Sequence, residues 1–377
     1  MAGYIFNLNN ELSLKKSIEN GVYSTNLSSP MNNNWKIHHE GTFTDFLSMK
    51  EGDNVYFFIN RKIYGIGELV NLGLDCKLLN YPDADVPNEP DFNRIKDKML
   101  LNESESNINN RCICTFKPSP YFFQSGIDMD DVLASNPKSF RILRAFWKVS
   151  FIKIDHEENK ALKDIILKRN EEYLTYPNDN IFKYDCLIHQ NISRRLTDSY
   201  KMNSENILKY SSSKEVIRHE MAIEAHIADV ISHNDESVFG YWDYITHQVI
   251  ASPFKPIDYM DKMDIFGYRF IPGFDTISQY LVIEIKKGSA TIEAVDQVMK
   301  YVDWINQEYA HGEYNMIHAY IVAYDFNEDV INYKNTICKR NYIKGRRPTL
   351  SDTWSNVKLI KYRYNAILNK LDFKEIT

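Results

Sequence analysis

The run from Tyr280 to Gly288, YLVIEIKKG, constrains this chain more than any other stretch. It is apolar and β-branched enough to be an interior strand, yet it carries Glu284 and Lys286 two residues apart. Strand side chains alternate between faces, so these two point the same way while Leu281, Ile283 and Ile285 take the other face. A carboxylate and an ammonium on such a strand are costly to bury unless something pairs them. Asp264 stands early in a preceding strand, MDIFGYRF, and the turn IPGFDTISQ makes the two strands an antiparallel pair. A divalent cation held by Asp264, Glu284 and the Ile285 carbonyl would balance these charges. Hard oxygen ligands of this kind suit Mg²⁺, with Mn²⁺ as the substitute.

The flanking segments support a mixed sheet covered by helices. SSSKEVIRHEMAIEAHIADVISHN reads as a helix, capped by Ser213, with apolar residues at 216, 217, 223, 227, 230 and 231 on one stripe. Glu220 and Glu224 lie one turn apart on it. The helix TIEAVDQVMKYVDWINQEY follows the Glu/Lys strand and places Gln297 eleven residues after Lys286. MIHAYIVAY reads as a further strand. Two carboxylates and a strand carbonyl would position Mg²⁺ beside a scissile phosphate, lower the pKa of a bound water and offset transition-state charge. Lys286 would orient that water or stabilise the developing charge, and Gln297 would hold the water or a phosphate oxygen. Asp275, nine residues before Glu284, is a rival for Asp264, but it falls in the turn.

From Asp264 through LVIEIKKGSATIEAVDQVMKYVDWI the chain resembles the core of the PD-(D/E)XK, restriction-endonuclease-like superfamily. It is most similar to the NucS-type and Shedu-type branches, where E-x-K-x-G precedes an A-x-x-Q-x-x-x-Y-like helix. Here that pattern reads Glu284, Lys286, Gly288, Ala294, Gln297 and Tyr301, and the family's PD dipeptide reads Met263-Asp264. The resemblance covers residues 213–330, about a third of the chain. It implies a metal-dependent DNA endonuclease in prokaryotic defence against phage or plasmid DNA, assembled as a homo-oligomer (dimer or tetramer). It also implies a metal-facing glutamate on the helix before the sheet, Glu224 ahead of Glu220.

A second resemblance lies in residues 1–82. MKEGDNVYFFINRKIYGIGELV is similar to the small PUA/EVE-like β-barrels, with a hairpin turning at Asn60-Arg61 and Gly65 and Gly67 marking a bulge or barrel corner. Such barrels often pocket a modified or flipped base, which makes Trp35, Tyr56, Phe58 and Tyr64 candidate pocket residues. Aromatics at alternating strand positions also build ordinary cores. Two alternatives therefore stand beside the defence nuclease: a modification-dependent restriction enzyme, and a nucleic-acid-binding protein with a catalytically silent nuclease fold.

The expected organisation is α/β throughout. A β-rich sensor or recognition domain (1–82) is followed by an exposed loop from Pro82 to Asn110. An α+β segment (111–195) continues or supports that domain, and a Ser-rich linker (196–212) leads to the nuclease domain with its basic tail (213–377). Net charge is −6, yet Lys334–Thr377 holds eleven Lys/Arg against three Asp/Glu. Lys339, Arg340, Lys344, Arg346 and Arg347 are candidates to contact DNA phosphates without reading sequence; a solvated helix end is the other reading of the same charge. His219, His226 and His233 recur every seven residues but lack the three- or four-residue partner of a zinc motif. Five scattered cysteines, with Cys112 and Cys114 both in the strand RCICTF, point to a reducing compartment. The absence of a signal-like start or a membrane-length apolar run fits a cytoplasmic chain.

Overall fold

A computed structural model of the chain describes residues 1–27, 30, 34–73, 75–101, 105–140, 150–176, 180–213, 216–233, 236–251 and 260–376. They form two compact units. The first is Met1–Thr42 with Met49–Asn203, and the second is Phe43–Ser48 with Ser204–Thr377. No helix among the described residues is long and apolar enough to cross a membrane.

The first unit runs β1 (Gly3–Asn7), α1 (Glu11–Asn20), β2 (Val22–Asn26), α2 (Ile37–Leu47, its last turn counting with the second unit), β3 (Asn54–Ile59), β4 (Lys62–Leu69) and β5 (Lys77–Leu79). It continues with α3 (Phe92–Ile95), β6 (Asn110–Pro118), β7 (Ile127–Asp128), α4 (Met129–Ser135), β8 (Phe151–Ile154), α5 (His156–Arg169), α6 (Glu171–Thr175) and α7 (Leu187–Arg195). Its sheet is a half-barrel ordered β2-β6-β4-β3-β1-β8, with β1 parallel to β3 and the other pairs on this path antiparallel. Asn60 and Arg61 turn β3 into β4 with φ of 50° and 64°, the left-handed pair a two-residue hairpin demands. Gly65 and Gly67 are glycines because rings press on them. A Cβ would meet Tyr56 Cδ1 at 2.7 Å and Phe122 Cζ at 2.5 Å, respectively. The α5 helix lays Leu162, Ile165 and Ile166 into the same core as Ile5, Tyr56 and Ile63.

The stretch from Pro82 to Asn110 is exposed at 88, 89, 91, 93, 94 and 96–98, as its composition suggests, but not throughout. Ala84, Asp85, Met99 and Leu100 are buried. The cause is Arg111, itself fully buried, whose guanidinium donates to the carbonyls of Ala84, Val86 and Asn88. Backbone carbonyls satisfied in this way let a polar segment fold inward. Cys112 and Cys114 are buried β6 residues with free thiols.

The second unit runs α8 (Glu205–Ser211), β9 (Ser212–Ser213), β10 (Val216–Ile217), α9 (Glu220–His233), β11 (Tyr244–Ile250), β12 (Lys262–Phe270), β13 (Ile277–Ser289), α10 (Ile292–Ile305) and β14 (Ile317–Asp325). Then come α11 (Glu328–Ile337), β15 (Arg340–Arg346), β16 (Thr349–Trp354), β17 (Val357–Asn365) and β18 (Lys370–Ile376). A six-stranded mixed sheet, β11-β12-β13-β14-β17-β18, forms its centre. The β12–β13 hairpin is antiparallel, and β13, β14 and β17 are mutually parallel. Every residue of β13 from Tyr280 to Ile285 is buried, as befits a central strand. The α9 helix packs on β13, and α10 packs on β13 and β14.

Three sequence expectations change here. Residues 196–212 are folded rather than a bare linker, since α8 buries Ile207 and Leu208. Ser213 lies in the β9–β10 pair and caps nothing, and the helix begins at Glu220. The basic C-terminal segment is not a tail, and only its start is a helix end, with Lys334 in the last turn of α11. From Arg340 onward it forms the β15–β16 and β17–β18 hairpins.

Candidate active site

Three carboxylates meet where β12 and β13 part. Asp264 lies one residue before the first β12–β13 pair, Ile265 with Ile283. Its Oδ2 accepts the Ile285 N–H at 2.7 Å, which fixes the carboxylate against the neighbouring strand. Glu284 is completely buried on β13. Its Oε1 accepts from Lys286 Nζ at 2.5 Å, while its Oε2 is buried without a hydrogen-bond partner. The same-face relation of Glu284 and Lys286 therefore takes the form of direct contact.

Glu224 enters from α9, 1 % exposed. Gln248 Nε2 stands 3.3 Å from Glu224 Oε1 and 3.4 Å from Asp264 Oδ1, so one amide links the two acids. Gln248 holds this place with φ of 53°, a left-handed conformation that costs a non-glycine residue about 1 kcal/mol or more. The register explains the need. His247 pairs with Ile265 and Val249 with Met263, and Gln248 is left between them opposite Asp264. His247 Nδ1 lies 3.4 Å from Glu224 Oε2, and its Nε2 lies 3.7 Å from Asp45 Oδ2. Asp45 also accepts from Thr246 Oγ1 at 3.1 Å. Glu220, a turn earlier than Glu224, instead accepts the Lys287 N–H at 3.1 Å. Of the two helix glutamates, Glu224 is the one joined to Asp264.

Gln297 on α10 completes the group. Its Oε1 is 3.5 Å from Lys286 Nζ, its Nε2 donates to Tyr301 Oη at 2.6 Å, and Tyr301 Oη donates to the Lys262 carbonyl at 2.7 Å. Tyr301 thereby fixes which end of the Gln297 amide faces Lys286.

Electrostatics follow from this crowding. Burial, then Glu224 and Glu284, raise the Asp264 pKa well above the usual carboxylate value, against the Ile285 N–H and Lys286. Burial likewise raises Glu284 to about 7, opposed by Lys286. Burial lowers the Lys286 pKa, but Glu284, Asp264 and Glu220 outweigh it and the net shift is upward. For His247 burial again acts downward, and Asp45 and Glu224 reverse it. Asp264 and Glu284 thus hold their protons unless a further positive charge arrives, and Glu284 Oε2 is left buried without a hydrogen-bond partner. Hard oxygens in excess of cations are a donor set that fits Mg²⁺. Among the described residues, no three His, Cys, Asp or Glu side chains are gathered into a ready cage. Asp264 and Glu284 with the Ile285 carbonyl supply only two side chains.

The other sequence candidates have surroundings of their own. Asp275 is exposed in the β12–β13 turn. Tyr56 is a core residue with its hydroxyl on Asn159 Oδ1 at 2.8 Å, and Phe58 packs against the same core. Trp35 is buried with the Arg111 guanidinium over its ring and its Nε1 on the Asp85 carbonyl. Tyr64 lies against Phe182 and Gly126. These four aromatics do not share one environment. Arg340 is engaged by Asp303 and Lys344 by Asp352, while Lys339, Arg346 and Arg347 are exposed. His226 hydrogen-bonds Ser204 Oγ and the Leu371 N–H, and His233 pairs with Asp229.

Sequence reasoning missed His247, Gln248 and Asp45. A signal existed for two of them: YITHQVI sets polar residues side by side in a β-branched run, which breaks period-two alternation.

No protein-family model matches the chain, and no curated protein does. Among solved structures it is similar to a repair endonuclease from Pyrococcus abyssi, at 26% identity and a TM-score of 0.21. The match covers 30% of this chain and spans 43% of that one. So slight a superposition carries no function, and the geometry of the site carries the reading that follows.

Proposed function

We propose that this chain is a Mg²⁺-dependent DNA endonuclease acting in prokaryotic defence against phage or plasmid DNA, with Mn²⁺ able to replace Mg²⁺. The observation that carries this reading is the buried cluster of Asp264, Glu284 and Glu224 facing Lys286 and Gln297. Asp264, Glu284 and the Ile285 carbonyl would hold the cation, with Glu224 beside them. The bound metal supplies charge that polarises a phosphate and acidifies a water. Lys286 brings a fixed ammonium to the scissile phosphate, where it offsets negative charge that grows in the transition state. Gln297, held by Tyr301, keeps Lys286 aimed and presents an amide to the attacking water or a phosphate oxygen. Gln248 keeps Asp264 and Glu224 from separating. The first unit would sense or position the DNA, and the chain would work as a homo-oligomer in the cytoplasm.

Digestion of a covalently closed circular plasmid tests the reaction class. An endonuclease converts closed circles to nicked and linear forms with Mg²⁺ and leaves them intact in EDTA. Degradation of linear DNA alone, or of no DNA in any form, would set this reading aside.

A further inference from the structure

The β15–β16 hairpin is built as an arm. Its two strands pair only with each other among the described residues, and an isolated two-stranded ribbon is marginal without support. The support is all at the root. Arg340 makes a bidentate contact with Asp303, Nε and Nη2 each at 2.9 Å. Trp354 Nε1 donates to the Ile317 carbonyl at 3.0 Å, and Tyr314 packs against both Tyr342 and Trp354. Beyond Tyr342 nothing comparable holds the ribbon. Ile343 is 57% exposed and Leu350 55%, and Arg346 and Arg347 are exposed at the tip.

An unpaired ribbon with exposed apolar side chains is an aggregation hazard that a chain keeps only for use. The charge identifies the use. From Lys339 to Trp354 there are five Lys/Arg and one Asp; Arg340 is paired with Asp303 and Lys344 with Asp352, which leaves Lys339, Arg346 and Arg347 exposed for a polyanion. Phosphate contact alone needs no isoleucine or leucine. The major groove of B-DNA admits a two-stranded ribbon, and thymine methyl groups there offer apolar contact.

We infer that the β15–β16 ribbon inserts into the major groove of duplex DNA, with Arg346 and Arg347 on the flanking phosphates and Ile343, on the face opposite Tyr342 and Trp354, against base edges. This rests on the nuclease reading and adds to it a mode of DNA engagement outside the metal site.

The test uses the full chain with Ca²⁺ in place of Mg²⁺ and a short duplex, read by fluorescence anisotropy and dimethyl sulfate footprinting. Wild-type protein should protect guanine N7, which lies in the major groove. The Ile343→Ser variant should lose that protection and bind about tenfold more weakly with an unchanged salt dependence. Arg346→Ala/Arg347→Ala should weaken binding and flatten the salt dependence by about two phosphates. Guanine N7 protection that persists in both variants overturns the proposal, as does protection of adenine N3 alone. A changed oligomer mass in the Ile343→Ser variant with unaltered DNA binding assigns the ribbon to self-association and overturns it too. Wild-type protein that cuts closed circles alongside variants that bind normally sinks the ribbon alone. Wild-type protein that neither binds nor cuts DNA sinks the nuclease reading beneath it.

Discussion

Lys286 Nζ lies 2.5 Å from Glu284 Oε1, and the second oxygen of that carboxylate has no hydrogen-bond partner. One buried acid is thus half neutralised by its own strand and half open to a further cation. Lys286→Ala should therefore lower the cleavage rate by about 10²–10³, the usual cost of removing a fixed electrostatic donor. Glu284 can take up a proton, so the fold should survive. Steady-state rates beside a thermal melt check both halves, and a variant that cuts at the wild-type rate removes Lys286 from the site.

The pH dependence has a definite sign. Glu284 is raised to about 7 by burial, so the folded protein favours its protonated form. Stability without metal should fall as pH rises from the ordinary carboxylate range towards about 7, since the unfolded chain loses that proton first. A cation needs the ionised form, so its binding should release protons and strengthen over the same interval. Melts from pH 5 to 8 with and without Mg²⁺ should show the gap widening with pH. A constant gap would contradict the assignment of Glu284.

Gln248 stores backbone strain, with φ of 53° at a position opposite Asp264. Gln248→Ala loses the amide contacts and keeps the strained conformation, whereas Gln248→Gly loses both. The glycine variant should be the more stable of the two by about 1 kcal/mol. Chemical denaturation of the pair measures the difference, and equal stability would show that the left-handed turn costs nothing here.

Arg111 holds the polar segment after Pro82 through three backbone carbonyls. Arg111→Ala should destabilise the first unit by roughly 3 kcal/mol, because several buried acceptors lose their donor together. Limited proteolysis should then cut between residues 82 and 110. Wild-type resistance in the variant would mean the segment packs without its arginine.

What the sequence discloses about this molecule follows from how local each feature is. The β12–β13 hairpin is readable because period-two alternation, a Pro-Gly turn and an out-of-place Glu/Lys pair all fall within a short stretch. The His247-Gln248 pair is harder to read, since its contacts are with Glu224 and Asp264 on other elements. The start of the segment after Pro82 misleads because the carbonyls of Ala84, Val86 and Asn88 are satisfied by Arg111, more than twenty residues on. In the last 44 residues the density of Lys and Arg masks β17, which buries Val357 and Leu359 on one face and Ile360, Tyr362 and Tyr364 on the other.

The most direct measurement is the rate of supercoiled plasmid cleavage against Mg²⁺ concentration for wild type, Asp264→Asn and Glu284→Gln. The account predicts saturable activation by Mg²⁺ in the wild type and loss of cleavage by both isosteric variants at every concentration. Three superimposable curves would contradict it, because the cation would then be held somewhere other than Asp264 and Glu284.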